Sequence, residues 1–196
     1  HSLGHDSCTK SVNIAPMKTA ADVLKFWFED HGQEDWFGGK AEFDAQIAGA
    51  FTHTHDAVAR GEAWDWRATP GGRLAEIIVL DQFSRQLFRG QARAFATDGM
   101  ALALAQEAVG GGHHNFLPPE RRGFFLLPFM HAESMLVQQE SVRLHLALGN
   151  PEQMKFARGH ADVIQRFGRF PRRNAALGRR SAERRVGTEC SSRWAP

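Results

Sequence analysis

The chain has 196 residues, 42% hydrophobic and 23% charged, the composition of a globular polypeptide long enough to bury one substantial core. Its formal net charge of +2 is unevenly spread: residues 17 to 165 carry 14 basic against 19 acidic side chains, while residues 166 to 196 carry 9 arginines against 2 glutamates. Residues 180 to 196 alone hold 4 arginines and 2 glutamates, which accounts for the whole excess, so the pI of 8.8 is no argument for nucleic-acid binding.

The opening HSLGHDSCTKSVNIAP is polar and aperiodic and has no apolar signal-peptide core, so residues 1 to 16 read as a non-native or disordered leader. Met17 is the expected natural start, because a helical pattern begins immediately after it. TAADVLKFWFED places Thr19 three residues before Asp22, the spacing of a capping box, and sets Val23, Leu24, Trp27 and Phe28 on one face. Lys40 to Arg60 repeats the period with Phe43, Ile47, Ala50, Phe51 and Val58, and Gly61 is a natural stop. EAWDWRATPGG reads as a loop whose two tryptophans, Trp64 and Trp66, pack onto helices.

RLAEIIVLDQFSRQLFRG is the most apolar segment and is expected to be a central helix surrounded by others. A helix from Thr97 to Val109 stops at three glycines, and the segment from Leu117 to Gly149 reads as two helical pieces with Pro128 at the break. Asn150 then caps a last helix, with Pro151 at its first position, running to about Phe167. The sum is an all-α fold of seven to eight helices, stacked as antiparallel pairs because the connections are short, in one domain over residues 17 to 179.

Cys8 and Cys190, the two cysteines, both fall in the chain ends, so residues 17 to 179 offer no disulfide, thiolate metal site or cysteine nucleophile, and a reduced, cytoplasmic setting is expected. No apolar run reaches the roughly 20 residues of a membrane span. The histidines His53, His55, His113 and His114 do not have chelating spacing, so no metal and no cofactor is expected. No G-x-S-x-G, P-loop, Rossmann or HExxH motif is present.

Polar residues inside the apolar framework are the candidate site. Asp81 lies in the central helix with Arg85 and Arg89 at successive i, i+4 spacings, so all three are expected on one face. A buried Asp81 requires a cation or several donors, and an Asp81–Arg85 structural pair is the plainer reading beside a catalytic carboxylate. His131, Ser134 and Gln138 share a face in the next cluster, whereas His131 and Glu133 point apart. His160 has interior neighbours at helical spacing. RFGRFPRRN, residues 166 to 174, packs four arginines among two phenylalanines and a proline.

Taken in order, VLKFWF, GRLAEIIVLDQFSRQLFRG, AFATD, LPFMHAES, QQESV and HADVIQRFGRFPRRNAALGR resemble the bacterial family catalogued as domain of unknown function 924, over about residues 20 to 179. The resemblance implies an all-helical fold similar to the tetratricopeptide-repeat superfamily and no assigned reaction, substrate or cofactor. Family members usually have a histidine where this chain has Arg172, and usually a Ser/Thr-Pro-Glu segment after LGR. Here RSAERRVGTECSSRWAP follows instead, which resembles a translated sequencing adapter, so residues 180 to 196 read as an artefactual tail.

Three functions are open to such a chain. Folding the RFGRFP loop back onto the central helix would gather Arg166, Arg169, Arg173 and Asn174 near Asp81, Arg85, His131, Glu133 and His160. An open arginine fork there would bind a small carboxylate or phosphate ligand, with His131 or His160 as acid or base. The alternative is a protein-interaction scaffold with a closed arginine–carboxylate network and Trp27, Trp36 and Phe37 as anchors. RNA binding ranks last, since residues 17 to 179 carry 19 acids and 19 bases, and neither nucleic acid nor a membrane is expected as a partner.

Overall fold

The computed structural model describes residues 16 to 180. The expectations for the leader, the tail, Cys8 and Cys190 lie outside these residues, apart from the leader's last position and the tail's first. Every regular element among the described residues is helical: α1 (Ala20–Lys25), α2 (Gln33–Trp36), α3 (Ala41–Ala59), α4 (Pro70–Ile77), α5 (Ser84–Leu87), α6 (Asp98–Gly110), α7 (Pro119–Arg122), α8 (Leu127–Met130), α9 (Met135–Leu148) and α10 (Pro151–Phe167), with short 3₁₀ and π turns between several of them. No strand occurs there, and no helix is long and apolar enough to cross a membrane.

Local chemistry sets the helix starts. Thr19 Oγ1 accepts from the Asp22 amide at 3.2 Å, and the Asp22 carboxylate accepts from the Thr19 amide at 2.8 Å, completing the capping box. Thr69 caps α4 ahead of Pro70, and the Asn150 carboxamide accepts from the amides of Glu152 and Gln153, both at 3.1 Å, ahead of Pro151. Gly149 and Gly168 take φ of +75° and +67° at the ends of α9 and α10, the left-handed closure that favours glycine.

The core is an aromatic and aliphatic cluster around the central α4–α5 rod, whose residues Leu74, Ile78, Val79, Leu80 and Phe83 are all buried. Trp27 is fully buried, stacked on Trp36 at 5.4 Å and edge-on to Phe124 at 5.9 Å. Packing, rather than partner recognition, is therefore the role of Trp27. Trp66 packs against the core as expected, but Trp64 is 70% exposed.

Two backbone features depart from the expected pattern. Pro128 sits inside the first turn of α8, where its missing N–H leaves no bond unmade, and the chain breaks instead at His131 to Ser134. The central rod is interrupted by a π turn over Ile78–Phe83, a widening that recurs at functional sites. Periodicity cannot signal it, because one extra residue per turn barely disturbs an apolar pattern that runs nearly all round.

Candidate functional site

The π turn carries two buried polar side chains into the core, Asp81 and Gln82, each 1% exposed. Asp81 Oδ1 accepts from His131 Nδ1 at 2.8 Å and lies 3.2 Å from Arg85 Nη1, while Oδ2 accepts from Gln82 Nε2 at 2.6 Å. Burial pushes the Asp81 carboxyl up, but Arg85 and these donors outweigh it and hold the group below the usual carboxylate range. The expected Asp81–Arg85 pair is thus present, as one part of a larger network.

Arg85 also donates to the Asp81 backbone carbonyl at 2.6 Å and forks onto Asp98 at 2.9 and 3.0 Å. Asp98 receives a second guanidinium, Arg173 Nη1 at 3.1 Å, whose Nη2 donates to the His131 carbonyl at 3.0 Å. Arg173 itself lies between the rings of Phe95 and Phe170, 4.5 and 4.7 Å from their centroids. Two carboxylates and two guanidinium groups therefore neutralise one another in a closed arrangement.

A clasp adjoins this network. Glu133 accepts from the Phe170 amide at 2.7 Å and takes both arms of Arg179 at 2.8 and 2.9 Å, fastening the segment after α10 onto the bend between α8 and α9. Arg166 and Arg169 do not join it. Arg166 is exposed and lies over its neighbour Phe167, and neither makes an ion pair with a described residue. Gly168, with φ of +67°, turns the chain between them. Asn174 is buried, with both polar side-chain atoms lacking a partner. Arg89, expected on the Asp81 face, lies beyond the end of α5 and pairs with Asp44 at 2.7 and 2.9 Å instead.

Beside the network is a cavity of about 310 Å³ lined by Gln82, His131 and His160 at its inner end. An ionised Asp81 only accepts, so Nδ1 of His131 carries the hydrogen and Nε2 keeps its lone pair. Burial lowers His131 despite Asp81, leaving a neutral imidazole. His160 donates Nδ1–H to the Phe156 carbonyl at 2.8 Å, with Nε2 again an acceptor, and burial followed by the nearby His131 lowers it to about 4. The two rings are 6.1 Å apart.

Because Gln82 Nε2 serves the carboxylate, its buried Oε1 is an acceptor, and it has no partner; Gln153 Oε1, also in the lining, has none either. Trp36, Phe37, Phe124 and Phe156 form the aromatic walls, and the exposed Glu34, Glu120 and Glu152 stand at the outer end. No Lys or Arg is among the lining residues. A more open depression of about 480 Å³ along α9, beside Leu136, Val137 and Arg143, contains none of these groups.

The structure thus brings together Asp81, Arg85, His131 and Arg173, with Glu133 and His160 adjacent, and leaves out Arg166 and Arg169. An open arginine fork is not what results, because Asp98 takes both Arg85 and Arg173. Sequence reasoning missed Asp98, whose place in the first turn of α6 reads as an ordinary helix-dipole acid. It missed Gln82 because only the π turn makes it face inward with Asp81. Another buried array, His55 Nε2 with Ser84 Oγ at 2.7 Å, has no solvent route, since Ser84 is fully buried and also bonded to the Leu80 carbonyl.

A search of curated proteins finds no match. Among solved structures, a protein of unknown function from Agrobacterium tumefaciens, ATU0120, is similar with a TM-score of 0.80 and 39% identity, over 84% of this chain and 92% of that one. The profile described as "Bacterial protein of unknown function (DUF924)" matches residues 23–186, so the resemblance read from the motifs holds and this all-α chain belongs to the bacterial DUF924 family.

Proposed function

We propose that this chain binds a small molecule bearing hydrogen-bond donors in the 310 Å³ cavity, and that His131, oriented by Asp81, accepts a proton from it or from a water beside it. The observation that carries this reading is the 2.8 Å Nδ1 contact of His131 to a buried, ionised Asp81, which fixes the tautomer and leaves Nε2 as the base. A carboxylate that orients a neutral imidazole in this way is the arrangement general-base chemistry needs. The lining contains no Ser, Thr or Cys, so the proton comes from water or the ligand rather than from a protein nucleophile.

The ligand differs in charge from the anion suggested by the arginine-rich motif. That motif supplies Arg173 to Asp98 as a structural cation, and the charged residues lining the cavity are acids instead. A cytoplasmic setting belongs to the same reading and rests on the cysteine distribution.

The test is imidazole ¹⁵N NMR on histidine-labelled protein during a screen against a metabolite library. Ligands that stabilise the fold should move the His131 and His160 signals, and Asp81→Asn should shift the His131 tautomer away from Nδ1–H. Stabilising ligands that leave both imidazoles unmoved would place binding elsewhere and defeat the reading.

A further inference from the structure

The two ends of the cavity differ in a way that specifies its ligand further. At the inner end, Gln82 Oε1 is buried without a donor, and the Nε2 lone pairs of His131 and His160 stand in the same lining. At the outer end, Glu34, Glu120 and Glu152 are exposed and make no ion pair with any described residue. The two arginines that follow Glu120 are directed elsewhere. Arg121 stacks on Phe28 at 4.6 Å, and Arg122 donates to the Leu117 and Asn115 carbonyls at 2.8 and 3.3 Å. Between the ends, Trp36 and Phe124 meet edge to face at 5.0 Å, presenting apolar surface and ring faces suited to an alkyl chain or a cation.

The buried side-chain atoms of this lining that lack a partner, Gln82 Oε1 and Gln153 Oε1, are both acceptors, and its charged residues are all acids. A carboxylate or phosphate ligand would meet repulsion from three glutamates at the mouth and imidazole lone pairs at the floor, with only neutral amide donors of Gln33, Asn150 and Gln153 in the lining to offset them. A cation would meet the opposite: attraction focused between low-dielectric walls at the entrance, then acceptors for its second polar end. The volume, near the lower limit of small-molecule sites, holds a short chain rather than a cofactor.

We infer that the cavity selects a small organic amine, its ammonium held among Glu34, Glu120 and Glu152 and a second N–H or O–H donor reaching the Nε2 lone pairs of His131 and His160. This rests on the cavity reading above and adds the charge and the two-ended form of the ligand. His131 gives the inner end its selectivity: with Nδ1–H committed to Asp81, its neutral ring can only accept through Nε2.

The experiment uses chain-matched probes, 1,4-diaminobutane, 4-amino-1-butanol, 1,4-butanediol and succinate, at about 0.15 M salt where surface charge effects are screened. Thermal shift and the ¹⁵N signals of His131 and His160 are read together. The diamine and the amino alcohol should raise the melting temperature and move both imidazoles, at least tenfold tighter than butanediol, with no effect of succinate. Replacing Glu34, Glu120 and Glu152 by glutamine should remove that tenfold preference and leave butanediol binding unchanged, a substitution at exposed positions that spares the fold. Butanediol or succinate binding as tightly as the amines, or amine binding indifferent to the triple substitution, overturns the charge assignment alone. No response of the imidazoles to any probe overturns the amine assignment, while the wider cavity reading still stands or falls with the metabolite screen.

Discussion

Asp81 is held by three different donors, and each constrains a different property. Arg85 keeps it ionised, Gln82 fills the second oxygen, and His131 is oriented by the first. Substituting Asp81→Asn removes the charge while nearly preserving shape, so Arg85 keeps only Asp98 as counter-charge and must share it with Arg173. Breaking a buried pair from one side costs about 3–5 kcal/mol, and we expect a loss of that order in urea denaturation. An Asp81→Asn chain of unchanged stability would mean that the network is already neutral without the carboxylate. The Asp81–Arg85 half of this network was legible from the i, i+4 spacing. Asp98 and Gln82 were not, because their roles depend on contacts that sequence separation hides.

At the scale of elements, the apolar period located the long helices well, since α3, α6, α9 and α10 each bury one face. The π turn and the break at His131 to Ser134 were illegible for a common reason: both are local backbone adjustments that bring polar groups inward, and they leave the hydrophobic pattern intact. Two glycines show how close the elements pack around them. A Cβ at Gly72 would strike the Trp66 backbone carbonyl, whereas one at Gly123 would strike the end of the Gln153 side chain. Backbone in the 3₁₀ turn Trp64–Ala68 cannot yield, because Arg67 is tied to the buried Glu76 at 2.8 and 2.7 Å. Gly72→Ala should therefore destabilise by about 1–3 kcal/mol, the cost typical of overpacking. Gly123→Ala should cost less than half as much, since Gln153 swings aside. Equal losses in parallel melting experiments would show that the α4 start can shift as a unit.

The molecule as a whole buries His55, His131 and His145 and half-buries His160, and burial is the leading cause lowering the proton affinity of each. Unfolded histidine titrates near 6.5, so between that value and the lower folded values the unfolded chain binds more protons than the native one. Stability then rises with pH across this window, is fully present above about 6.5, and falls as pH drops toward the folded values. For His160, lowered to about 4, the contribution lost by that pH is at most about 3 kcal/mol, less what partial exposure screens away. Asp81 follows the carboxylate rule, its contribution disappearing only at still lower pH, so the acid limb has two parts. Urea midpoints should fall steadily from pH 7 to 4.5, and His160→Gln should reduce that slope while leaving the drop below pH 4 in place. A slope untouched by His160→Gln would assign the upper limb to the more deeply buried His131, His55 and His145, of which only His131 lines the cavity and can charge through Nε2 with its bond to Asp81 kept.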